Sequence, residues 1–346
     1  MASDWGLPGE DLARARALVG DHAWHRLDGA RVLITGGTGF VGKWLLATAL
    51  HATRSLEVAT ELVLLSRDPR AFARANPELA SGLTLLPGDV RDFEPAPGEF
   101  THVVHAATDV VATHEPMETF DVTVRGTQRV LEVALARGAR DVLLVSSGAV
   151  YGPQPTTMPT ISESYLGAPP VVAPGSAYGE GKRVAEWLTH LAAADGLQAR
   201  VARCFAFVGP HLALDQHFAI GNFIADAMAG RPIEVRGDGT DQRSYLHAAD
   251  MAGWLWAMLL RSAAGTTYNV GGPEAVSLAD LAHRVNSVLG SDAGVVVGRR
   301  PDRGTPGTRY VPDVSAIRRD LGLPEPIPVD EAIARTAAWH RGRAGS

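Results

Sequence analysis

The stretch Arg31-Val-Leu-Ile-Thr-Gly-Gly-Thr-Gly-Phe-Val-Gly42 joins a short apolar run to the start of a helical pattern, and its glycines are spaced G-x-x-G-x-x-G. Gly36 permits a tight turn, Gly39 lets the backbone approach a pyrophosphate, and Gly42 lets the helix pack on the strand. Phosphates would lie against the amides of the helix N-terminus. Because the loop follows a strand and opens a helix, it predicts dinucleotide binding rather than an ordinary glycine-rich turn. The loop residues expected beside the cofactor are Gly36, Thr38, Gly39, Phe40, Val41 and Gly42.

Around this loop, apolar runs alternate with helical segments through the first two-thirds of the chain. Each run is short, rich in valine and leucine and largely apolar, which is typical of a parallel strand covered on both faces. The alternation predicts an α/β protein with a doubly wound parallel sheet, a Rossmann fold. The predicted strands are Arg31–Thr35, Glu61–Ser66, Leu83–Pro87, His102–His105, Val142–Ser146 and Ala199–Cys204. The predicted helices are Val41–His51, Met117–Arg137 and Tyr178–Ala194.

The domain organisation follows from changes of pattern along the chain. Residues 1–27 form an N-terminal extension with a helical apolar face, and residues 28–206 and 236–275 form the dinucleotide-binding domain. Residues 207–235 and 276–346 contain more proline, glycine and irregular spacing. We therefore expect a smaller, discontinuous C-terminal domain that binds the substrate.

Composition narrows the class of protein. The net charge is −6 over 346 residues and no basic stretch stands out, which disfavours nucleic-acid binding. The single cysteine, Cys204, rules out an intramolecular disulfide and fits a reducing compartment. The N-terminus lacks a signal pattern, and the apolar run Met251–Leu260 is too short to cross a bilayer. We expect a cytoplasmic protein without membrane contact and without a metal site, since the histidines lack ligand spacing.

The end of the second predicted strand should choose between the two nicotinamide cofactors. A carboxylate there would hydrogen-bond the ribose 2′-hydroxyl of NAD, whereas an arginine would accommodate the 2′-phosphate of NADP. The chain has Ser66-Arg-Asp68, and Arg67 tilts the prediction towards NADP while Asp68 keeps NAD open. After the third strand, Asp89 and Val90 are expected beside the adenine, with a plain surface loop as the alternative.

Lysine is rare in this chain, with only Lys43 and Lys182 against thirty arginines. Lys182 lies four residues after Tyr178, and residues four apart lie on the same face of a helix. A phenol held beside an ammonium is easier to ionise and is a candidate acid/base. Such a pair also arises by chance, so it needs support from elsewhere, and Lys43 reads as a solvated residue at a helix start.

That support comes from the order of the segments. The glycine loop, His105-Ala-Ala107, Ser146-Ser-Gly-Ala-Val-Tyr-Gly152 and Tyr178-Gly-Glu-Gly-Lys182 together resemble the extended short-chain dehydrogenase/reductase family. More narrowly they resemble its NAD(P)-dependent nucleotide-sugar epimerase/dehydratase branch, from about residue 31 to residue 339. The resemblance implies an enzyme that binds a nucleotide-diphosphate sugar.

The resemblance also assigns roles. Ser147 takes the catalytic serine position, Tyr178 is the acid/base, and Lys182 holds the nicotinamide ribose and lowers the pKa of the tyrosine. Arg243, in Gly237-Asp-Gly-Thr-Asp-Gln-Arg243, matches an arginine that grips the nucleotide diphosphate, and Arg300 is similar to a second one. By the same resemblance Ala106 and Ala107 lie beside the cofactor, and Thr108 beside the substrate.

Two departures from the branch limit the chemistry. The 4,6-dehydratases carry an Asp-Glu pair after the catalytic hydroxyl, and this chain has Gly148-Ala149. Ala206 stands where an asparagine usually contacts the sugar or phosphate. We therefore expect oxidation of a sugar hydroxyl, at C4, followed by epimerisation. The alternatives are NADPH-dependent reduction of a keto-deoxysugar, decarboxylation of a sugar acid or, in another class, a non-catalytic NAD(P)-binding sensor.

The two long helices Met117–Arg137 and Tyr178–Ala194 carry apolar faces beyond what one sheet surface needs. In the family that the chain resembles, such helices pair across a two-fold axis. The resemblance therefore implies a homodimer.

Overall fold

The computed structural model describes residues 5–108, 115–216, 218–298 and 307–344. Its centre is a seven-stranded sheet of order β11-β6-β5-β4-β1-β2-β3, whose neighbouring strands run parallel. The strands are β1 Ala30–Thr35, β2 Thr60–Ser66, β3 Thr84–Pro87, β4 His102–His105, β5 Asp141–Ser147, β6 Gln198–Cys204, β7 Ala206–Val208, β8 Ile233–Val235, β9 Gln242–Arg243, β10 Tyr245–His247, β11 Thr267–Val270, β12 Val276–Ser277, β13 Val295–Val297 and β14 Arg309–Tyr310.

Helices cover both faces of the sheet, so the predicted Rossmann fold is confirmed. Alternate residues of β1 face opposite cores: Val32 and Ile34 pack in one apolar cluster and Leu33 in another. The helices are α1 Gly9–Val19, α2 Asp21–Trp24, α3 Phe40–Ser55, α4 Pro69–Ala75, α5 Pro77–Ala80, α6 Pro116–Ala136, α7 Ala177–Ala194, α8 Ala219–Met228, α9 Ala248–Arg261, α10 Leu278–Val288, α11 Ser315–Leu321 and α12 Val329–Ala344.

The N-terminal segment packs into the body of the protein. Its predicted helix is present as α1, which lies against α9. A Cβ added at Gly253 of α9 would lie 2.8 Å from Leu18 Cδ1 and 3.0 Å from the Ala15 carbonyl oxygen. Arg14 Nε also donates to the buried Asp250 at 2.8 Å. The close approach of the two helices therefore depends on the glycine.

Small sheets accompany the large one. Strands β7 and β10 pair with each other, β8 pairs with β13, and β9 lies between β12 and β14. Between these pieces the chain returns to the main sheet, where β11 pairs in parallel with β6. The division into domains stays a prediction, but this return is the pattern expected of a discontinuous arrangement.

The six strands predicted from apolar runs are all present in the main sheet. The seventh, β11, lies within residues 236–275, which the sequence assigned to the dinucleotide-binding domain without a named strand. Within the described part of the chain, no helix is long and apolar enough to cross a membrane.

Candidate active site

The glycine loop lies between β1 and α3 and is packed against the end of β4. Gly36 has a φ of +73°, and a Cβ there would lie 2.4 Å from the Ala106 carbonyl oxygen. A Cβ at Gly42 would lie 2.3 Å from the Gly36 carbonyl oxygen. Around Gly39 the nearest protein atom would be the Gly36 oxygen at 3.5 Å, an ordinary contact. Protein packing thus explains two of the glycines and leaves the third facing open space.

That open space fits a dinucleotide. Helix α3 begins at Phe40, so the first amides of the helix, including that of Val41, have no partner within the helix. These amides and the bare backbone of Gly39 form a cradle for an anionic pyrophosphate. The residues present therefore fit the nicotinamide dinucleotide predicted from the sequence, and the sequence-predicted loop residues, Thr38 among them, surround the cradle.

The end of β4 runs beside the glycine loop. The Ala106 amide donates to the Thr35 carbonyl at 3.2 Å, and the Ala107 amide donates to Thr35 Oγ1 at 3.2 Å. Thr108 is half-buried and turns its hydroxyl back to the Ala107 carbonyl at 2.6 Å. The structure thus brings Ala106 and Ala107 to the predicted cofactor side, while the Thr108 hydroxyl is engaged locally.

The ends of β2 and β3 follow β1 along the same edge of the sheet, where the adenosine half of the cofactor is predicted to lie. Ser66 is buried and Arg67 is exposed. The carboxylate of Asp68 accepts from the Ala71 amide at 2.8 Å and so caps α4. Arg67 and Asp68 left the choice between NADP and NAD open. The carboxylate of Asp68, which would favour NAD, is engaged in capping α4.

Asp89 is held beside this edge by arginine. Arg91 donates to both Asp89 oxygens, at 2.8 and 3.0 Å, and this contact together with nearby Arg67 holds the pKa of the carboxyl below its usual range. Arg91 also reaches Asp121 of α6 at 3.1 Å. Val90 is buried. The charge of Asp89 is thus largely neutralised by protein partners.

Ser147 lies at the carboxyl end of β5, where ligands bind in open parallel sheets. Its Oγ accepts from the Ala149 amide at 3.1 Å as the chain enters a 3₁₀ turn over Gly148–Tyr151. The Ser147 hydroxyl lies close enough to Tyr178 to lower the pKa of that phenol. The predicted serine and tyrosine therefore meet.

Tyr178 and Lys182 share a face of α7, as their spacing predicts. Lys182 is buried, donates through Nζ to the Val145 carbonyl at 2.7 Å, and lies 6.0 Å from the centroid of the Tyr178 ring. Burial lowers the pKa of Lys182 to about 8. Burial raises the pKa of Tyr178 to about 12, and the Ser147 hydroxyl acts in the opposite direction. The net shift of the phenol is thus upward, against the lowering expected from Lys182, because burial favours the neutral form.

A buried ion pair lies one turn beyond Lys182. Arg203 of β6 donates to Glu186 of α7 in a two-pronged contact, at 2.7 and 3.1 Å, and Ser146 donates to the same carboxylate at 2.5 Å. Arg203 also donates to the Tyr151 hydroxyl at 2.9 Å. This network fastens α7 to two central strands. Sequence reasoning missed it, although the i, i+4 spacing of Lys182 and Glu186 places both on one helical face.

Two aromatic residues complete the site and were also missed. The rings of Phe205 and Tyr310 lie 4.5 Å apart beside Gly148, the residue after Ser147, and the Tyr310 hydroxyl donates to the Cys204 carbonyl at 3.5 Å. Tyr310 belongs to β14, far along the chain. No local pattern marks it, since Arg309–Tyr310 is a two-residue strand.

Arg243 lies close to Tyr310. In the parallel pairing of β9 with β14, Arg243 is the partner of Tyr310. Its guanidinium donates to the Gln242 carbonyl at 2.8 Å and to Thr308 Oγ1 at 3.2 Å. The predicted diphosphate ligand therefore lies on the same side as Ser147. Arg300, the second predicted ligand, lies outside the described residues.

His105, at the end of β4, has a structural role. His105 shares hydrogen bonds with Thr35 at 2.7 Å and Thr127 at 3.0 Å, and burial lowers its pKa to about 3. Over the described ranges, no cluster of three or more histidine, cysteine, aspartate or glutamate side chains is arranged to hold a metal ion.

Known proteins resemble this chain in both sequence and fold. Residues 32–271 match the NAD dependent epimerase/dehydratase family. UDP-glucuronic acid decarboxylase 6 of Arabidopsis thaliana is 31% identical over 309 residues, covering 88% of this chain and 86% of that protein. The dTDP-glucose 4,6-dehydratase DesIV of Streptomyces venezuelae, solved with NAD and TYD, is 26% identical at a TM-score of 0.72, covering 91% of this chain and 98% of its own.

A third comparison is MoeE5 in complex with UDP-glucuronic acid and NAD. It is 26% identical at a TM-score of 0.74 and covers 91% of this chain and 100% of its own. The family match spans the glycine loop, Ser147 and the Tyr178/Lys182 pair. The chain therefore belongs to the NAD dependent epimerase/dehydratase family, of the extended short-chain dehydrogenase/reductase type, as its motifs indicated.

Proposed function

We propose that this protein oxidises the C4 hydroxyl of a nucleotide-diphosphate sugar and then restores it in the opposite configuration, as a 4-epimerase. The observation that supports this most is that Ser147, Tyr178 and Lys182 lie together at the carboxyl end of β5, two strands from β1 and its glycine loop. The bound cofactor supplies the hydride acceptor. Tyr178 takes the hydroxyl proton, and Ser147 donates a hydrogen bond to the oxygen that becomes a carbonyl.

Burial alone raises the pKa of Tyr178 to about 12, so the role of base depends on groups that favour the ionised phenol. Buried Lys182 keeps an amine beside Tyr178, while the Ser147 hydroxyl favours the ionised phenol. The guanidinium of Arg243 lies on the same side and has the fork geometry that suits a diphosphate. These residues act on one face of the bound sugar, so a change of configuration requires the keto-sugar to turn over before its reduction.

Dehydration is disfavoured because the residues after Ser147 carry neither acid nor base. Gly148 has no room for a side chain, since a Cβ there would lie 2.7 Å from both Phe205 Cζ and the Tyr310 hydroxyl. Elimination of water from the keto-sugar needs proton transfers at two further positions. Hydride return to the keto-sugar needs none beyond Tyr178.

Decarboxylation of a uronic acid is the second candidate. Relatives named UDP-glucuronic acid decarboxylase are 30 to 31% identical over most of the chain. Oxidation at C4 of a hexuronic acid creates a β-keto acid, which loses CO2 readily. The same Tyr178 chemistry would therefore begin either reaction, and the substrate carboxylate would separate them.

The test is a substrate screen followed by NMR and mass spectrometry. UDP-, dTDP-, CDP- and GDP-hexoses and UDP-glucuronic acid are incubated with protein, with and without NADPH. An epimerase yields a product of unchanged mass without consuming reductant. Loss of CO2 identifies a decarboxylase. Stoichiometric oxidation of NADPH identifies a reductase, and cofactor binding without any turnover identifies a sensor.

We also propose that the cofactor site accepts NADP. Arg67 is exposed beside Asp89, whereas the Asp68 carboxylate caps α4. The family description and MoeE5 point to NAD. Calorimetry with NAD and NADP separates the two: Arg67→Ala should weaken NADP binding alone, and the exposed Arg74→Ala should change neither affinity. Equal weakening of both cofactors by Arg67→Ala would contradict the proposal.

A homodimer through α6 and α7 is the third proposal. Met117 is 75% exposed, and Trp187 and Leu191, four apart on α7, are 60% and 49% exposed. Large exposed apolar side chains that share a surface mark an interaction site, and Trp187 and Leu191 share one face of α7. Trp187→Glu should give a monomer by light scattering, whereas Val296→Glu, which changes a 54% exposed residue on β13, should leave the mass of the wild type unchanged. A monomeric wild type would overturn the proposal.

A further inference from the structure

Two side-chain contacts fasten α7 to β5 directly before Ser147. Lys182 Nζ donates to the Val145 carbonyl at 2.7 Å, and Ser146 Oγ donates to Glu186 Oε1 at 2.5 Å. The two helix residues are four apart, so they lie one above the other on one helical face. The two strand residues are neighbours in sequence. The contacts together therefore fix the position of the helix along the strand.

Ser146 serves this attachment and does not face the substrate. Successive residues of a strand point to opposite faces of the sheet. Leu144 packs with Ala185 of α7, so Ser146, two residues later, also points towards the helix. Ser146 is only 2% exposed, and its hydroxyl is bonded to Glu186. Its contribution to the site is therefore to hold the strand end that carries Ser147.

Glu186 is itself held in place from β6. Arg203 donates to Glu186 Oε2 through Nη2 at 2.7 Å and to Oε1 through Nε at 3.1 Å. The guanidinium also donates to the Tyr151 hydroxyl at 2.9 Å, which donates to Asn269 Oδ1 at 2.8 Å. A carboxylate gripped by the fork of an arginine has a defined orientation. The oxygen that accepts from Ser146 is thus a fixed point in the protein.

The carboxylate of Glu186 also acts on Lys182 by its charge. Burial lowers the pKa of Lys182 to about 8, and Cys204 and Glu186 act in the opposite direction. The other titratable neighbours are uncharged at neutral pH, because burial lowers the pKa of His105 to about 3 and raises those of Cys204 and Tyr178 to about 12. At neutral pH it is therefore Glu186 that favours the ammonium form of the lysine.

We propose that Glu186 is a positioning residue: through Ser146 it fixes α7 on β5 and so sets the place of the acid/base pair relative to Ser147. The inference rests on the proposed function for its kinetic part, since this alignment affects turnover only if a sugar is oxidised here. It also differs from a purely stabilising role. A contact that only stabilised the fold would change unfolding and leave kcat as it is.

Ser146→Ala is the main test, because it removes the contact and leaves the pair of Glu186 and Arg203 intact. On the sugar nucleotide that the screen identifies, kcat should fall about 10-fold with KM nearly unchanged, since misalignment lowers the rate of the chemical step. An unchanged kcat would overturn the inference, and so would a loss confined to KM.

The matched control is Tyr268→Phe. It also removes a hydroxyl that links a strand to a carboxylate on a helix, because Tyr268 of the edge strand β11 donates to Asp320 of α11 at 3.0 Å. This variant should lose stability without any change in kcat. An equal fall of kcat in Tyr268→Phe and Ser146→Ala would show a general effect of stability and would contradict the positioning role.

A double-mutant cycle tests whether Ser146 acts through Glu186. In a Glu186→Ala background, Ser146→Ala should lower kcat by less than about 2-fold further, because its partner is already gone. Losses that multiply in the double variant would overturn the inference. The single variant Ser146→Ala and the measurement on the lysine decide the matter if Glu186→Ala does not fold.

A measurement without turnover keeps the inference distinct from the proposed function. The chain has only two lysines, so ¹⁵Nζ labelling gives two ammonium signals, and Lys43→Arg leaves that of Lys182. Ser146→Ala should shift the Lys182 signal at neutral pH, because the helix has lost its second contact with the strand, and Tyr268→Phe should not shift it. Glu186→Gln should lower the pH midpoint of the Lys182 signal by about half a unit, because a buried negative charge is removed.

The outcomes separate the two proposals. If the wild type turns over no sugar nucleotide, the proposed function fails, while a shifted Lys182 signal in Ser146→Ala still supports the inference. A Lys182 signal that stays in place in Ser146→Ala contradicts the inference alone. An unchanged midpoint in Glu186→Gln contradicts it as well, because Glu186 would then have no influence on the lysine.

Discussion

The β5–α7 unit and the small sheet of β12, β9 and β14 meet at Ser147, but they are built differently. Strand β5 is buried along its whole length, and α7 is tied to the sheet through Lys182 and Glu186. Strands β9 and β14 have two residues each and are held by half-exposed polar contacts such as Asp241 to Thr308 at 2.7 Å. We therefore expect substitutions on the regular, buried elements to lower stability, and substitutions on the small sheet to change ligand binding more than stability.

The largest effect is expected from the acid/base in the first region. Tyr178→Phe should lower kcat on a turned-over sugar nucleotide by roughly 1000-fold, because general base catalysis contributes about 10²- to 10⁴-fold. The ring is kept, so cofactor affinity by calorimetry should change little. A variant that retained more than about a tenth of the activity would remove Tyr178 from the mechanism.

Glu186→Ala should cost the most stability. It leaves the mostly buried guanidinium of Arg203 without its carboxylate, and breaking a buried ion pair costs about 3 kcal/mol in the free energy of unfolding. The matched control is Asp226→Ala, which breaks the more exposed pair with Arg231 at a cost of less than about 1 kcal/mol. Urea unfolding measures both. Equal losses of unfolding free energy in the two variants would contradict the distinction between buried and exposed ion pairs.

The glycine loop allows stability and binding to be separated. Gly36→Ala should lower the free energy of unfolding by about 2 kcal/mol, since it adds a Cβ against Ala106 at a left-handed φ. Gly39→Ala meets no close protein atom and should leave unfolding unchanged while weakening the dinucleotide roughly 10-fold or more. Calorimetric titration together with thermal melting distinguishes them. Unaltered dinucleotide affinity in Gly39→Ala would argue against the proposed cradle.

The smallest change is expected on the small sheet. Asp241→Ala removes two hydrogen bonds to Thr308, from its amide at 2.7 Å and its hydroxyl at 2.8 Å. Because these groups are exposed, the melting temperature should fall by only about 2 °C. The KM for the sugar nucleotide should rise several-fold, since Thr308 also contacts Arg243. A large loss of stability with an unchanged KM would contradict the expectation that the small sheet affects ligand binding more than stability.

Local patterns were sufficient for much of the fold and for those contacts of the candidate site that lie within one element. The apolar runs that became β1 to β6 are each contiguous, so their burial could be read from a few residues. The spacing of Gly36, Gly39 and Gly42, and that of Tyr178 and Lys182, are local geometry that a turn or a helix imposes. The ends of the helices differed by up to four residues because caps and frayed turns carry weaker signals.

The sequence by itself determined the doubly wound sheet, the glycine loop and the proximity of Tyr178 and Lys182, because each is encoded within one or two neighbouring elements. Only the tertiary structure decided that Tyr310 and Phe205 fill the space at Gly148, that Asp68 is committed to a helix cap, and that Arg203 is neutralised by Glu186. These are contacts between distant segments. Their partners are chosen by how the whole chain packs, which no short pattern records.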